Sequence, residues 1–216
     1  LAEQGGAVEA PLRYGTSGSA LTPMRRDEQD LVVPVIELDY WYLTGKPPEK
    51  TEDDPFAEEK SSQTCVIAVC RSTGYLFASV VTEKGPGCGY AVAAMSSWLH
   101  ELGHSRCILQ SDGEPALIAF RDAVRAKYLT SAATGAVEHV SCRVSPVGSH
   151  ASNGGAERAV QMVRGLVRVY LDSLRAKAGA KTLDARSPWW TWATRHAAWI
   201  YNRFHVRPDL RCTPYT

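Results

Sequence analysis

Three short apolar runs precede any helical period in this chain, and that order constrains its fold more than any other feature. "LVVPVIELDYWYL" (31–43), "TCVIAVC" (64–70) and "GYLFASVVT" (74–82) are rich in β-branched and aromatic residues. The last two meet at the turn-like "RSTG", as in a hairpin. Helical spacing then begins: Ala91, Ala94, Met95, Trp98 and Leu102 repeat through "YAVAAMSSWLHEL", and Gly103 stops the helix where a positive φ is needed. "RCILQSD" (106–112) is a short buried strand. A helix opened by Pro115 follows, with Leu117, Phe120, Val124 and Tyr128 on one face. "VEHVSCRV" (137–144) is a last strand, and two helices, roughly 156–178 and 188–206, close the chain. The order β-β-β-α-β-α-β-α-α predicts an α/β domain with a five-stranded mixed sheet flanked by helices.

The flanks of that pattern set the domain organisation. Residues 1–29 are rich in Gly, Ala and Ser with no apolar period, as in a linker or tail, which leaves 30–216 as the domain. Within it, the polar, Pro-containing stretch 46–63 is a surface insertion. A chain of 216 residues, 44% hydrophobic and 22% charged, buries a full core, which excludes disorder throughout. It begins with Leu1, as a piece of something longer does.

The net charge of +1 conceals an asymmetry, for residues 158–216 sum to +8 and residues 1–157 to −7. A basic C-terminal third suits a polyanionic partner, although a solvated charged face has the same composition. The six cysteines form no CxxC pair, which favours buried thiols in a reducing compartment. No apolar run reaches the roughly 20 residues of a membrane span and no signal peptide is visible, so the expectation is an intracellular protein, not secreted and without membrane association.

Two aspartates end apolar strands: Asp39 in "VIELDYW" and Asp112 in "CILQSDGE". A carboxylate at such a point must be hydrogen-bonded, paired with a cation or solvated at the sheet's edge. Asp112 precedes Gly113, so a plain turn is the simpler reading of that residue. Glu157 changes the weighting. It heads a helix whose predicted core stripe is Val160, Val163, Val167, Tyr170 and Leu174, while Glu157, Gln161, Arg164, Arg168 and Arg175 share another face. An acidic residue at a helix start is favoured by the dipole alone. A glutamate heading a cationic stripe also suits a phosphate backbone passing an acidic site, since arginines position the polyanion and carboxylates hold a metal.

"SDGEPALIAF", "SNGGAERAVQMVRGLVR" and "AAWIYNRFHVRPDLRCTPYT" resemble, in order, three blocks of the integrase catalytic core of retroviruses and long-terminal-repeat retrotransposons, most closely the copia type. The similarity runs from about Val32 to Thr216, and "NGGAER" with the terminal "NR…TPY" is its most specific part. The resemblance implies a ribonuclease H-like fold, a D,D,E triad of Asp39, Asp112 and Glu157, and two divalent ions, Mg²⁺ or Mn²⁺, held by those three residues. It implies DNA 3′-end processing and strand transfer, with element ends and target DNA as partners, a homo-oligomer, and residence in a cytoplasmic particle and the nucleus. Asn153, Arg158, Gln161, Arg164 and Arg168 are the candidate DNA contacts, and 145–155 the mobile loop, with His150 and Ser152 in it. Hard oxygen ligands suit Mg²⁺, and two ions roughly 3.5–4 Å apart stabilise attacking and leaving oxygens of an in-line displacement. The chain departs from the family in a longer interval, 113–156, between second aspartate and glutamate, in Asp-Gly-Glu with Glu114 in the glutamate's place, in His150-Ala151 where Pro-Gln is usual, and in Gln161 where a basic residue is common.

"HELGH" (100–104) matches the HExxH pattern of zinc proteases. His100 and His104 lie opposite the apolar stripe, Cys107 stands where an extended motif needs Gly, and Gly103 ends the helix, so a solvated helix end is the expected role. "PWWTWATRHAAWIYNRF" offers tryptophans for base stacking, but core or subunit interface is the commoner use of such a helix. Two further readings remain open: a hydrolytic nuclease of the ribonuclease H type with Glu101 as a candidate fourth carboxylate, and a nucleic-acid-binding domain without turnover.

Overall fold

Alternation along the first strand builds the domain's two layers. The computed structural model describes residues 33–43, 63–132, 136–146, 153–178 and 187–215, all of them within the compact unit Val33–Thr216. Ile36, Leu38 and Tyr40 of β1 (Val35–Tyr42) enter one core with Met95 and Leu99 of α1 (Gly89–Leu102) and Phe120 and Val124 of α2 (Pro115–Ser131). Trp41 enters a second core with Cys65 and Ile67 of β2 (Thr64–Cys70), Val163, Val167 and Leu171 of α3 (Gly154–Ala178), and Ala193 and Ala197 of α4 (Pro188–Phe204). The period of two therefore turns Glu37, Asp39 and Trp41 toward the α3 side.

With β3 (Leu76–Val81), β4 (Arg106–Ser111) and β5 (His139–Val144), the sheet has the order β3-β2-β1-β4-β5. β1/β2 and β2/β3 pair antiparallel, and β1/β4 and β4/β5 pair parallel. A short turn joins β2 to β3, a long connection that includes the insertion joins β1 to β2, and α1 and α2 supply the crossovers that parallel pairing requires. The mixed five-stranded sheet flanked by helices agrees with the sequence expectation. Gly103, at φ 66°, ends α1 as its position predicts. The tail 1–29, nearly all of the insertion 46–63, and His150 and Ser152 lie outside the described residues. At the insertion's base, Leu43 N donates to Gln63 O at 3.1 Å.

One expectation about α3 needs correction. Its fully packed row is Ala156, Ala159, Val163, Val167 and Leu171, while Val160, Tyr170 and Leu174 are half-buried. The helix is covered by both the sheet and α4, so its buried arc is wider than one stripe, and the two alanines let its first turns approach β1 closely. The "NR" of the terminal block has a structural use: buried Asn202 accepts from Leu76 N and donates to Leu76 O, both at 2.8 Å, tying α4 to the edge strand. All six cysteines are free thiols. Among the described residues, no helix is long and apolar enough to cross a membrane.

Candidate active site at the ends of two parallel strands

Register brings the two aspartates together. Val35, Ile36 and Glu37 pair with Ile108, Leu109 and Gln110 in parallel. Continuing that register by two residues leads to Asp39 and Asp112, on strands about 4.8 Å apart where they pair. Asp39 does not end its strand as its sequence suggests, since β1 runs on to Tyr42 against β2, whereas Asp112 stands just past β4. The carboxyl ends of adjacent parallel strands are where α/β sheets hold ligands. Asp112 also serves the turn, its Oδ1 accepting from Glu114 N at 3.0 Å just before α2. Behind it, the buried Arg121 donates from Nη1 to Ser111 Oγ at 3.1 Å and to Arg143 O at 3.0 Å, which fixes the end of β4 against β5.

Glu157 lies exposed in the first turn of α3. Burial first, then the charge of Asp112 and, more weakly, those of Glu157 and Glu114, push the Asp39 carboxyl up from 3.8 to about 6 against the lowering bond from the Tyr40 backbone. Asp39 therefore senses both other members of the predicted triad. Among the described residues none of the three has a Lys or Arg ion-pair partner. Nor are any three acidic, His or Cys side chains drawn tightly enough to form a ready ligand set. Carboxylate oxygens that sense one another and lack a protein cation have the donor chemistry that a hard divalent cation satisfies, although the three are not gathered into a ligand set here.

Two further carboxylates lie close by, Glu114, noted in the sequence only for its place in the Asp-Gly-Glu block, and Glu37, which the sequence did not single out. Glu114 pairs with Lys84 at 2.6 Å, and Lys84 also lies over the rings of Tyr40 and Tyr42. Glu37, two residues before Asp39, is fully buried, bonds Arg71, and accepts from Ala156 N at 2.8 Å. The only local signal for it was an acidic residue inside an otherwise apolar strand.

The five candidate DNA contacts separate. Gln161 and Arg168 are exposed on the flank of α3 that carries Glu157. Arg164 is on that flank but half-buried, its guanidinium 5.5 Å from the Trp41 ring centroid. Arg158 is turned to the other flank, where it bonds Gly154 O and lines a cavity of about 570 Å³ with Arg71, Arg207 and Met162. Asn153 is half-buried with Nδ2 directed at Leu38 O, 3.5 Å away.

Other sequence candidates have different partners. Glu101 accepts from Tyr75 OH at 3.0 Å, so it is held away from the triad by a bond the sequence did not reveal. His100 Nε2 is 2.9 Å from Ser131 Oγ and packs on Tyr128. His104 lies past the end of α1, with Nε2 3.4 Å from Cys70 Sγ. Burial pushes that thiol up, but bonds with His104, Ser72 and Thr73 outweigh burial and bring it down to about 6. The two histidines of "HELGH" thus serve separate neighbours. In α4, Trp190 is core while Trp189, Trp192 and Trp199 are exposed, and His196 stacks between the last two.

No protein-family model and no curated protein matches the sequence. The fold does match solved structures. A simian T-cell lymphotropic virus intasome chain aligns with TM-score 0.54 and 15% identity over 84% of this chain, which spans 52% of that longer one. The HTLV-2 integrase catalytic core, solved with magnesium in a trimeric form, aligns at 0.51 and 14% over 84% of this chain and 93% of its own length. The BIV integrase core aligns at 0.51 and 16%, over 84% and 90%. The chain therefore has the ribonuclease H-like fold of retroviral integrase catalytic cores.

Proposed function

We propose that the chain is the catalytic core of a retrotransposon integrase, a polynucleotidyl transferase that processes DNA 3′ ends and joins them to target DNA. The observation that carries this reading is the parallel β1/β4 register, which leads to Asp39 within β1 and to Asp112 just past β4, with the charges of Asp112 and Glu157 both acting on Asp39. These three residues would hold two Mg²⁺ (or Mn²⁺) ions, whose chemistry is to activate a water or a 3′-hydroxyl and to neutralise charge at the phosphorus. The chain's own contribution is positioning. Register fixes the two aspartates, α3 carries Glu157, and the exposed Gln161 and Arg168 on the same flank receive the phosphate backbone. Partial burial of Asp39 lowers the local dielectric, which strengthens its attraction to a cation. The free thiols suit the reducing intracellular setting of such a reaction.

Two of the exposed tryptophans of α4, Trp192 and Trp199, border a groove against α1 that also includes Tyr90, Trp98 and Arg203. We assign this face to a second copy of the chain, in keeping with the trimeric form of the HTLV-2 core.

The test is an oligonucleotide assay offering both water and a 3′-hydroxyl acceptor, with Mg²⁺ and with chelator. Nicking and joining are expected in the unaltered protein and absent from Glu157→Gln at unchanged stability. Activity retained by that variant would sink the assignment, and nicking without joining would favour a hydrolytic nuclease.

A further inference from the structure

Glu37 lies on the same side of β1 as Asp39 but has no solvent exposure at all. A buried carboxylate is costly unless its charge and lone pairs are satisfied. Here both oxygens are used: Oε1 bonds the Arg71 guanidinium from the turn after β2, and Oε2 accepts from Ala156 N at 2.8 Å. Ala156 belongs to the first turn of α3, whose N–H groups have no partner within the helix. The carboxylate thus caps α3 from across the sheet, where the helix dipole also favours a negative charge. Gly155 completes the fit, because a Cβ built there would overlap Glu37 Oε2.

The residue that follows Ala156 is Glu157. We propose that Glu37, neutralised by Arg71, is a positioning residue that pins the first turn of α3 to β1 and so holds Glu157 beside Asp39. The inference rests on the reading of Glu157 as a metal ligand. Only the β1-to-α3 link bears on the site, since Arg71 is 42% exposed in its side chain and reaches water by itself. A capping residue with a purely structural role would lower stability throughout the domain. A positioning residue instead changes the local order of α3 and the metal affinity together.

Hydrogen exchange and Mg²⁺ titration of thermal stability separate these cases. In Glu37→Ala, amides 155–158 are expected to exchange at least about tenfold faster while those of β4 and α2 keep their rates. The Mg²⁺ concentration giving half-maximal thermal stabilisation should rise about tenfold, as when a residue supporting a metal ligand is lost. Glu37→Gln retains an oxygen for Ala156 N–H and should recover most of both. Gly155→Ala should reproduce the Glu37→Ala pattern, although alanine is the better helix former and propensity alone predicts slower exchange. It leaves both charges in place, so it carries the test if Glu37→Ala does not fold. Unchanged exchange and Mg²⁺ half-point in Gly155→Ala, or uniform destabilisation without a local change, would overturn the proposal. If the unaltered protein shows no Mg²⁺ response, the metal reading of Glu157 fails, and the exchange of 155–158 alone decides whether Glu37 pins α3.

Discussion

Replacing Asp39 by Asn should make the metal-free protein more stable at pH 8 while removing its response to Mg²⁺. Burial, followed by the charge of Asp112, raises the Asp39 carboxyl from 3.8 to about 6. Below 3.8 the group is protonated in folded and unfolded chains alike, and it costs nothing. Between 3.8 and 6 the unfolded chain releases the proton while the folded chain keeps it, so stability falls as pH rises. Above about 6 the whole cost is present. At about 1.36 kcal/mol per pH unit, the gap corresponds to about 3 kcal/mol as an upper bound. Asparagine still has to be desolvated and hydrogen-bonded, so a gain of about 2 kcal/mol is expected, or about 4–8 °C in Tm for a domain of this size. Thermal unfolding in chelator at pH 8 and pH 4 measures it, and the gain should shrink toward pH 4. Saturating Mg²⁺ should stabilise the unaltered protein by mass action and leave the variant little changed. No gain at pH 8, or a gain independent of pH, would refute the electrostatic account of the site.

Asn202→Ala removes two bonds and leaves Leu76 N–H and C=O without their side-chain partner, so it should cost about 2–4 kcal/mol in urea unfolding. A loss under about 1 kcal/mol would contradict the assigned tie between α4 and β3. Arg168→Ala should weaken DNA binding across sequences and reduce the salt-dependence slope by about one, with stability unchanged. Arg164→Ala should also lose about 1 kcal/mol of stability because its guanidinium lies on Trp41, and equal stability in the two variants would reject that distinction. Trp192→Ser should shift sedimentation toward monomer, and an unchanged distribution would argue against the second-copy assignment for the α4 face.

The strands and helices were legible because their signals are local. Periods of two and 3.6 residues fix which positions share a face, and Gly103 and Pro115 mark helix ends through their own backbone limits. Asp39 and Asp112 stood out because a charge closing an apolar strand demands an explanation. The angular offset of Arg158 from the Glu157 flank was also available from helical spacing, although the residue was named as a DNA contact together with Arg164 and Arg168. Glu37 was not legible. Its importance depends on Arg71, on Ala156 and on complete burial, which no window around residue 37 contains.

The sequence by itself determined the element order, the basic C-terminal third and the residue types capable of holding a hard cation. Tertiary structure decided which carboxylates are held by partners elsewhere. Glu101 was drawn to Tyr75, Glu114 to Lys84 and Glu37 to the start of α3, while Asp39, Asp112 and Glu157 were left without a protein cation among the described residues. The physical reason is that electrostatic coupling depends on distance and burial. Both follow from placing β4 beside β1 in parallel register and pinning the start of α3 to β1, through contacts between residues far apart in the chain.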